Sequence, residues 1–460
     1  MKTKFLIAGL FLLFLAAVLS LAGRFGASLS PTLTATIRWL AIAAFTAYAF
    51  LKRSLTAWIL VAMLFGAEIG YDAPHFAGSL RIFAQIFLQM IKVIIAPLLF
   101  ATLVSGIAGH ANLRQVGRMG IKAIVYFEVV TTAALFIGLA AINLSQAGYG
   151  VHLPSVESAE KIAAARPTAA EIILHIFPEN IAKSVAENQV LQVVVFAIIF
   201  GIALAMVRED KRRPMLSFCE SLAEVMFKFT NIVMLLAPIG VAGAIAYTVA
   251  HTGFDVLLNL VRLVATLYVA LIITILGVLL PSALLVRAPI RRTVKAMAEP
   301  AAIAFSTTSS EAALPRAMEC MEALGVPRQV VAFVIPLGYS FNLVGSTLYL
   351  ALASIFVAQV AGIHLTFGQQ LFMMLTLMLT SKGVAGVSRA AIVILLGTAG
   401  QLGLPTEPIF ILLGVDQLMD MGRTAVNVIG NCLASVVVAK WEGEFDKERP
   451  SETVEAALTQ

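Results

Sequence analysis

Long apolar stretches separated by short hydrophilic segments restrict the fold of this chain more than any other feature of its sequence. The stretches have the length needed to cross a hydrocarbon core of about 30 Å. They lie near residues 56–72, 80–108, 121–144, 187–207, 217–250 and 255–286. Hydrophobic residues make up 60% of the 460 positions and charged residues 13%, which leaves too little polar surface for a soluble domain of this size. The sequence therefore predicts an all-α, multi-spanning membrane protein in contact with lipid.

The basic residues that give the chain its net charge of +6 are concentrated in the hydrophilic segments between the apolar stretches. The groups are Lys52 and Arg53; Arg114, Arg118 and Lys122; Arg208, Lys211, Arg212 and Arg213; and Arg287, Arg291, Arg292 and Lys295. They recur at every second gap between apolar stretches, which is the positive-inside pattern of cytoplasmic loops. This placement favours topology signals over a nucleic-acid surface. We expect a multi-pass protein of the cell (inner) membrane without a nucleic-acid partner.

The first apolar stretch, residues 5–23, could be a signal peptide or a retained membrane helix. It is long for a signal peptide, and no convincing small-residue cleavage site follows it. A retained helix, paired with a second at 34–51, is therefore favoured. Residues 1–54 are predicted to be an extension with two extra transmembrane helices, and residues 444–460 a cytoplasmic tail.

Two later segments, 297–330 and 366–400, differ in character because polar and small residues interrupt them. The interruptions are residues 306–310 in the first segment and residues 380–383 in the second. Non-helical backbone at membrane depth is tolerated only where protein or a water-filled cavity satisfies its polar groups. Two broken segments are typical of a transporter whose binding site lies near the midplane. We expect each segment to be a re-entrant hairpin.

Polar residues line one face of the last apolar segment. Asp416, Asp420, Arg423, Asn427 and Asn431 are spaced by 4, 3, 4 and 4 residues, so on a helix of 3.6 residues per turn they share a narrow stripe. Each Asp or Arg at the centre of a span costs about 2.5–3.5 kcal/mol. Three of them on one stripe are hard to retain without a polar cavity beside them.

Two interpretations of this stripe stay open. Asp420 and Arg423 are three residues apart and could neutralise each other as an internal salt bridge, although pairing does not explain the two Asn residues. Alternatively, the groups bind a zwitterionic solute, because Arg423 presents a planar fork to a carboxylate and Asp420 accepts an ammonium. Thr424 and Asn427 would add neutral hydrogen bonds.

A second polar stripe consists of Asn342, Ser346 and Tyr349, spaced by 4 and 3 residues. Gly338 and Gly345 would let this helix unwind and expose carbonyl groups to a cation or substrate. The alternative is a packing seam of small residues between helices.

Glu128, together with Thr131 and Thr132, forms a third polar patch in an otherwise apolar stretch. A carboxylate inside the membrane favours a functional role, here the carriage of a proton. A capped carboxyl with a purely structural role is the alternative.

Covalent catalysis has no support in the sequence, since no nucleophile–base pair, phosphate loop or metal cluster is visible. Cys219, Cys320 and Cys432 are widely spaced in apolar surroundings and show neither metal-ligand spacing nor a disulfide framework. A membrane enzyme would place acid and base groups near one interface, whereas the polar residues here converge at mid-depth. We predict a transporter without a cofactor; a passive channel or sensor is the remaining alternative.

Several motifs, met in order along the chain, resemble those of one known family. They are residues 91–98, residues 126–132, Ser309-Ser310 with Leu314-Pro315, residues 380–387 and residues 420–424. From about residue 56 to 443 the chain resembles the dicarboxylate/amino acid:cation symporters, which include bacterial proton/glutamate symporters and excitatory amino acid transporters. The resemblance implies a glutamate-transporter-like fold over 55–443, with eight core transmembrane helices, the two re-entrant hairpins and a homotrimeric assembly. It also implies an elevator-like movement of a transport part against a scaffold.

The resemblance also implies roles for individual residues. Substrate contacts fall on Ser310, Ser346, Gly386, Val387, Asp420, Arg423, Thr424 and Asn427. Cation or proton coupling falls on Glu128, Thr131, Gly338, Asn342, Asp416 and Asn431. Asp420 matches the position that binds the amino group, and Arg423 the one that binds the side-chain carboxylate. Plain dicarboxylate carriers of the family differ at the Asp position, so glutamate or aspartate is favoured, with C4-dicarboxylates or neutral amino acids as alternatives.

Departures from the family pattern bear on coupling and gating. Asn431 stands where sodium-driven relatives carry an acid, Val344 replaces a customary Asp, and Leu350 replaces a Gln or Glu. These changes remove hard oxygen ligands that sodium needs, so protons are favoured over sodium as the coupling ion; weakened coupling is the alternative. Glu311 and Arg389, at the hairpin tips, could form an ion pair or alter the gates.

Overall fold

The computed structural model describes residues 2–24, 30–108, 113–150, 177–187, 189–253, 255–381, 390–399, 402–405 and 407–446. Every regular element within these ranges is helical, so the all-α class expected from the apolar stretches is confirmed there. The first half contains α1 (Lys2–Arg24), α2 (Pro31–Lys52), α3 (Leu55–Asp72), α4 (Pro74–Ser79), α5 (Arg81–Ala108), α6 (Leu113–Ser145), α7 (Ile181–Ala186), α8 (Val190–Met206), α9 (Glu209–Met234) and α10 (Ala237–Thr252). The second half contains α11 (Asp255–Thr274), a π-helical turn (Ile275–Leu279), α12 (Leu280–Leu285), α13 (Ile290–Thr307), α14 (Ser310–Leu324), α15 (Arg328–Phe341), α16 (Val344–Val360), α17 (Phe367–Ser381), α18 (Ala390–Ala399) and α19 (Glu407–Glu442).

Several of the described helices are long and apolar enough to cross a membrane. Five segments meet this condition: Thr32–Lys52, Arg118–Ser145, Val256–Leu285, Arg328–Val360 and Ile411–Glu442. The bent pair α9–α10 makes a sixth if it counts as one span. The chain is therefore a multi-pass membrane protein, while the eight core spans stay a prediction.

The N-terminal helices are joined to the rest of the chain by an ion-pair network. Helix α1 packs on α2, α2 on α3, and α3 on α10. Arg38 Nε on α2 donates to Glu68 Oε1 at 2.7 Å and Oε2 at 2.9 Å, and Arg38 Nη2 donates to Asp72 at 3.2 Å. The Arg38 guanidinium also lies 4.9 Å from the centroid of the Tyr71 ring. Since all three partners lie on α3, the network fastens α2 to its neighbour.

The apolar stretch 217–250 is two helices in the structure, α9 and α10, whose axes differ by 49°. Pro238 has no N–H and cannot bond the carbonyl of Met234 four residues earlier, so α9 ends there. Pro281 removes the bond to Gly277 in the same way, and a π-helical turn precedes it. Pro238 therefore explains why the stretch 217–250 is divided between two helices, whereas the stretch around Pro281 stays one span.

Helices α13 and α14 form a helical hairpin. At its tip Thr308 has a left-handed conformation, with φ 53°. The hydroxyl oxygen of Ser309 accepts a hydrogen bond from the N–H of Ala312 at 3.2 Å, so Ser309 is the N-cap of α14. Glu299 on α13 and Arg316 on α14 form an ion pair at 2.8 Å that joins the two arms.

This hairpin begins and ends earlier in the chain than the predicted range 297–330. Helix α13 begins directly after Pro289. Helix α14 ends at Leu324 because Gly325, with φ 109°, takes the left-handed position that follows many helices.

The second predicted hairpin, 366–400, contributes two described arms, α17 and α18. Gly386, Val387 and Arg389 belong to the connection between these arms and lie outside the described residues. The side chain of Glu311 is also outside the described part of the chain.

Helix α19 lies at the centre of the second half, against α10, α13, α14, α15 and α16. Every side chain from Ile411 to Ala439 is buried or half-buried. A helix enclosed by protein in this way can carry charged residues that a lipid-facing helix cannot.

Candidate functional site

The centre of the site is the guanidinium of Arg423 on α19. Its Nε donates to Asp420 Oδ1 at 2.7 Å, and its Nη1 donates to Asp416 Oδ1 at 3.0 Å. The Thr424 hydroxyl donates to the same Asp420 oxygen at 3.1 Å. The Arg423 side chain is 1% exposed and that of Asp416 0%. The internal ion pair, one of the two interpretations of the stripe, is thus present, and the stripe faces protein.

One nitrogen of the Arg423 guanidinium forms no hydrogen bond with the described residues. Nη2 is buried and has no hydrogen-bond partner among the described residues. The guanidinium carbon lies 4.3 Å from the centroid of the Tyr349 ring on α16, so an aromatic face covers one side of the cation. A buried charged donor without an acceptor is costly. Its best complement is a further carboxylate oxygen.

The side chain of Asn427 accepts hydrogen bonds from backbone N–H groups at the start of α16, just after a break in the helix. Helix α15 ends at Phe341 and α16 begins at Val344, so the first N–H groups of α16 lack partners within the helix. Asn427 Oδ1 accepts from the N–H of Gly345 at 2.8 Å and of Ser346 at 3.3 Å, and its Nδ2 donates to Ser346 Oγ at 3.0 Å. Asn427 therefore acts as an N-cap supplied by another helix, and it ties the break to α19.

Gly345 is required by the close approach of α16 and α19. A Cβ at this position would lie 2.8 Å from Arg423 Cα and closer still to the Arg423 carbonyl oxygen. Backbone atoms cannot move aside as a flexible side chain does, so glycine alone fits here. The sequence predicts that Gly338 and Gly345 let the helix unwind; the break instead lies between them, at residues 342 and 343, and both glycines are helical.

The tip of the α13–α14 hairpin meets α19 through a residue that the sequence analysis missed. Gln417 Nε2 donates to the Thr308 hydroxyl at the long distance of 3.5 Å, and both residues are buried. Ser310, two residues on, is buried as the first residue of α14. Gln417 follows Asp416 directly, and this position at the edge of the polar stripe was the available signal.

Two buried amides lie where α15 meets α19. The side chains of Asn342 and Asn431 are 0% exposed and form no hydrogen bond with the described residues. A Cβ on Gly338 would lie 2.9 Å from Asn431 Cγ, and one on Gly430 would lie 3.5 Å from Asn342 Nδ2. Buried polar atoms are nearly always satisfied. The group is therefore suited to water or to a cation, for which the two side chains supply amide oxygens.

One apolar departure from the family pattern, Val344, lies beside these amides. Val344 is fully buried, and its Cγ2 lies 3.2 Å from the position of a Cβ on Gly430. Leu350 is also buried. Neither adds a carboxylate to the group of Asn342 and Asn431.

The third polar patch lies on α6, which packs against α16 and α19. Glu128 is half-buried. Thr131 is buried, and its hydroxyl donates to the carbonyl of Phe127 at 2.7 Å. The Thr132 hydroxyl lies 3.6 Å from the sulfur of Met378 on α17. The patch therefore lies on a helix that packs against both α16 and α19.

Two predicted substrate residues, Gly386 and Val387, lie outside the described residues. Within the described ranges no group of three or more His, Cys, Asp or Glu is placed to hold a metal ion. Cys219, Cys320 and Cys432 are buried free thiols.

A buried charged cluster, a broken helix and a helical hairpin, set among apolar helices, together define a membrane transport protein. The particular family is shown by comparison with known proteins. The sodium:dicarboxylate symporter family matches residues 55–441, and the chain belongs to this family. It is therefore a transporter and not an enzyme, and the resemblance carried by the sequence motifs is confirmed.

Similar proteins within the family are named for the transport of different substrates. The chain is 40% identical over 404 residues to a proton/sodium-glutamate symport protein of Bacillus caldotenax, covering 85% of this chain and 96% of the relative. It is 40% identical over 416 residues to the proton/glutamate-aspartate symporter of Escherichia coli (strain K12), covering 87% and 95%. It is 39% identical over 409 residues to a C4-dicarboxylate transport protein of Anaeromyxobacter sp. (strain K), covering 87% and 92%. Overall identity thus does not decide between an amino acid and a dicarboxylate.

Proposed function

We propose that the protein is a secondary active symporter that carries glutamate or aspartate into the cell together with protons. Family membership supports symport, and the named relatives support a small acidic substrate. One observation carries the choice of substrate. It is the buried Arg423 guanidinium, which lies beside the Asp420 carboxylate and keeps one nitrogen without an acceptor among the described residues.

Each charge of an acidic amino acid has a counterpart in this cluster. The substrate's side-chain carboxylate pairs with Arg423 Nη2, and its ammonium pairs with Asp420. Without substrate, Asp420 and Arg423 neutralise each other at 2.7 Å. Binding is then an exchange of partners, in which neither buried charge is left alone, and this avoids the large penalty of an unpaired buried ion.

A C4-dicarboxylate matches the cluster less well, although one relative is named for its transport. It carries no ammonium, so its second carboxylate would face Asp416 and Asp420 in a buried place. Like charges at such short range repel strongly. The two aspartates therefore favour an amino acid.

Protons are the coupling ion in this proposal, with sodium as the alternative. Asn342, Asn431 and Val344 give no fixed negative charge to a cation held where α15 meets α19. An acidic substrate adds net negative charge to a cluster that already has two acids and one arginine. A proton taken up by Asp416 or Glu128 offsets that charge during transport.

The proposal includes the movement and assembly that the family resemblance implies. The α13–α14 hairpin and the segment 366–400 would be the re-entrant inner and outer gates of an elevator-like carrier. The carrier would work as a homotrimer in the inner membrane. The contact of Thr308 with Gln417 supports a gate that touches the substrate helix.

Uptake into proteoliposomes tests this function. We expect labelled glutamate and aspartate to accumulate under an inward proton gradient, with or without sodium. Accumulation of succinate alone would show a dicarboxylate carrier, and a strict need for sodium would contradict proton coupling. Uptake that ignores both gradients would leave a channel-like or sensor derivative.

Asp420→Asn sharpens the test of substrate class. This change removes the partner of the ammonium, so amino acid uptake should fall far more than any succinate uptake. Asp72→Asn is the matched control, because it neutralises an aspartate that also bonds an arginine but lies on α3, far along the chain from the Arg423 cluster. An equal loss in both variants would contradict the assignment of Asp420.

A further inference from the structure

We propose that a basic patch at the base of the α13–α14 hairpin binds the headgroups of anionic phospholipids. The α13 basic patch consists of Arg287, Arg291 and Lys295. All three side chains are exposed. Within the described part of the chain, none of them forms an ion pair with an acid.

The neighbouring Arg292 shows what a structural cation does in this segment. Its Nη2 donates to the carbonyl of Leu324 at 3.0 Å, and its Nη1 lies 3.7 Å from Asp446. Arg292 thus helps to hold the hairpin base and the end of α19 together. Arg291 and Lys295 are four residues apart and are neighbours on the exposed surface of α13.

The nearest acid along that face is already engaged. Glu299 follows Lys295 by four residues, which is the usual spacing for a helical ion pair. Glu299 instead bonds Arg316 on α14 at 2.8 Å. The cations of the patch are therefore left for a partner outside the described chain.

The location makes uncompensated cations unfavourable. Helix α13 has no acidic residue in its first turn, and Arg291 lies there. The N-terminal end of a helix carries partial positive charge, which disfavours nearby cations. Lys295, one turn on, adds a like charge at a spacing where like charges repel. An anion bound from outside would relieve both effects.

Apolar surface beside the patch indicates that this anion belongs to a membrane. Helix α12 closes the apolar span Val256–Leu285, and its last residues Leu284 and Leu285 are 57% and 84% exposed. Val294, between Arg291 and Lys295 in the chain, is 56% exposed. Basic side chains just beyond the end of a span, next to exposed apolar ones, match the headgroup level of a bilayer.

This assignment goes beyond a topology signal. A topology signal needs only positive charge in the loop, whereas a lipid site needs these three side chains together with the apolar residues that enter the acyl region. A free phosphate would use the cations but not Leu284, Leu285 and Val294. The proposal is therefore a preference for anionic over zwitterionic phospholipid, located at this patch.

Native mass spectrometry of the full chain in detergent, titrated with phosphatidylglycerol or phosphatidylcholine, measures this preference. The patch variant is Arg287→Gln/Arg291→Gln/Lys295→Gln. The control variant is Arg118→Gln/Arg208→Gln/Arg212→Gln, which also removes three charges, but from arginines that are each already paired with an acid. The unsubstituted protein should prefer phosphatidylglycerol. The patch variant should lose on the order of 100-fold in phosphatidylglycerol affinity, about fivefold per basic residue, and the control variant much less.

Three results would overturn the proposal. The first is that the unsubstituted protein binds the two lipids with equal affinity. The second is an equal loss of phosphatidylglycerol affinity in both variants, which would show that only the overall charge of the protein matters. The third is displacement of the lipid by an equal concentration of soluble glycerol 3-phosphate, which would show a free phosphate site. If the patch variant does not fold, Arg291→Gln should lose about fivefold and Arg291→Lys should bind normally; equal binding by both would also overturn it.

Discussion

Arg38 and Arg423 each bond two carboxylates and face a tyrosine ring, yet the two clusters differ in what they join. The Arg38 cluster contains Glu68, Asp72 and Tyr71, and the Arg423 cluster contains Asp416, Asp420 and Tyr349. In the Arg38 cluster the cation lies on α2 and the acids on α3, so the bonds fasten one helix to another. In the Arg423 cluster both acids lie on the same helix as the cation. Those bonds hold no two elements together.

Burial separates the clusters further. The Arg38 side chain is 17% exposed and that of Arg423 is 1% exposed. An ion pair within one helix contributes only about 0.2–0.5 kcal/mol when exposed, and burial adds a desolvation penalty that the pair seldom recovers. The Arg38 ion pairs therefore contribute to helix packing, whereas the Arg423 ion pairs lie within α19 and the guanidinium reaches α16 through the Tyr349 ring. An arginine between two acids is no sign of transport by itself; the sign is a group of this kind that is buried on one helix and keeps a guanidinium nitrogen without an acceptor among the described residues.

The largest effect is expected from Arg423→Cys. Loss of the guanidinium leaves the substrate carboxylate without a partner and the two aspartates unbalanced, so glutamate uptake into proteoliposomes should fall by at least about 100-fold. Any uptake of neutral amino acids by this variant would be an additional, newly acquired activity. Arg38→Gln is the matched control and should keep most uptake. Unaltered glutamate uptake by Arg423→Cys would show that Arg423 does not bind the side-chain carboxylate of the substrate.

Gly345→Ala should have the next largest effect. Its Cβ would collide with the backbone of Arg423, so α16 and α19 must separate and the Tyr349 ring must leave the guanidinium. Glutamate uptake should fall strongly, although less than in Arg423→Cys, because the guanidinium is still present. The control is Gly368→Ala on α17, where an added Cβ meets nothing within 4 Å. Normal uptake by Gly345→Ala would mean that this close approach is absent from the working cycle.

Asn427→Ala should have a smaller effect, on both stability and affinity. It leaves the N–H groups of Gly345 and Ser346 without an acceptor, and a lost N-cap costs about 0.5–2 kcal/mol. Glutamate affinity, measured by concentration dependence of uptake, should fall by about tenfold.

The control for that prediction is Asn180→Ala. Asn180 caps the short helix α7 with the same geometry, since its Oδ1 accepts from Ala182 at 2.8 Å and Lys183 at 3.4 Å. It lies at the surface, away from α19. Glutamate affinity should be unchanged in Asn180→Ala, and an equal fall in both variants would show that Asn427 acts only through stability.

The sequence predicted the elements of the Arg423 cluster better than its contacts. Spacing along one helix was enough to place Asp416, Asp420 and Arg423 on a common face, because helical geometry is local. The capping of α16 by Asn427 joins residues 82 apart, and no spacing rule reaches that far. Arg38 shows the same limit, since its partner Glu68 lies 30 residues on. The sequence alone predicts only apolar helices in that part of the chain.

The smallest effect on transport is expected from the Arg38 cluster, and a double-mutant cycle with Glu68 tests it. Arg38→Gln leaves the buried carboxylate of Glu68 without the Nε group that bonds both of its oxygens, and should lower stability by about 1–3 kcal/mol, below the range for a fully buried pair because Arg38 is partly exposed. The melting temperature in detergent measures this loss. Adding Glu68→Gln removes the orphaned charge, so the double variant should recover part of the loss. Glutamate uptake by the folded fraction should stay within about twofold throughout, because α1 and α2 precede the family core and the cluster only fastens them to α3. A fall in uptake as deep as that of Arg423→Cys would place the Arg38 cluster in the transport machinery and remove the distinction between the two arginines.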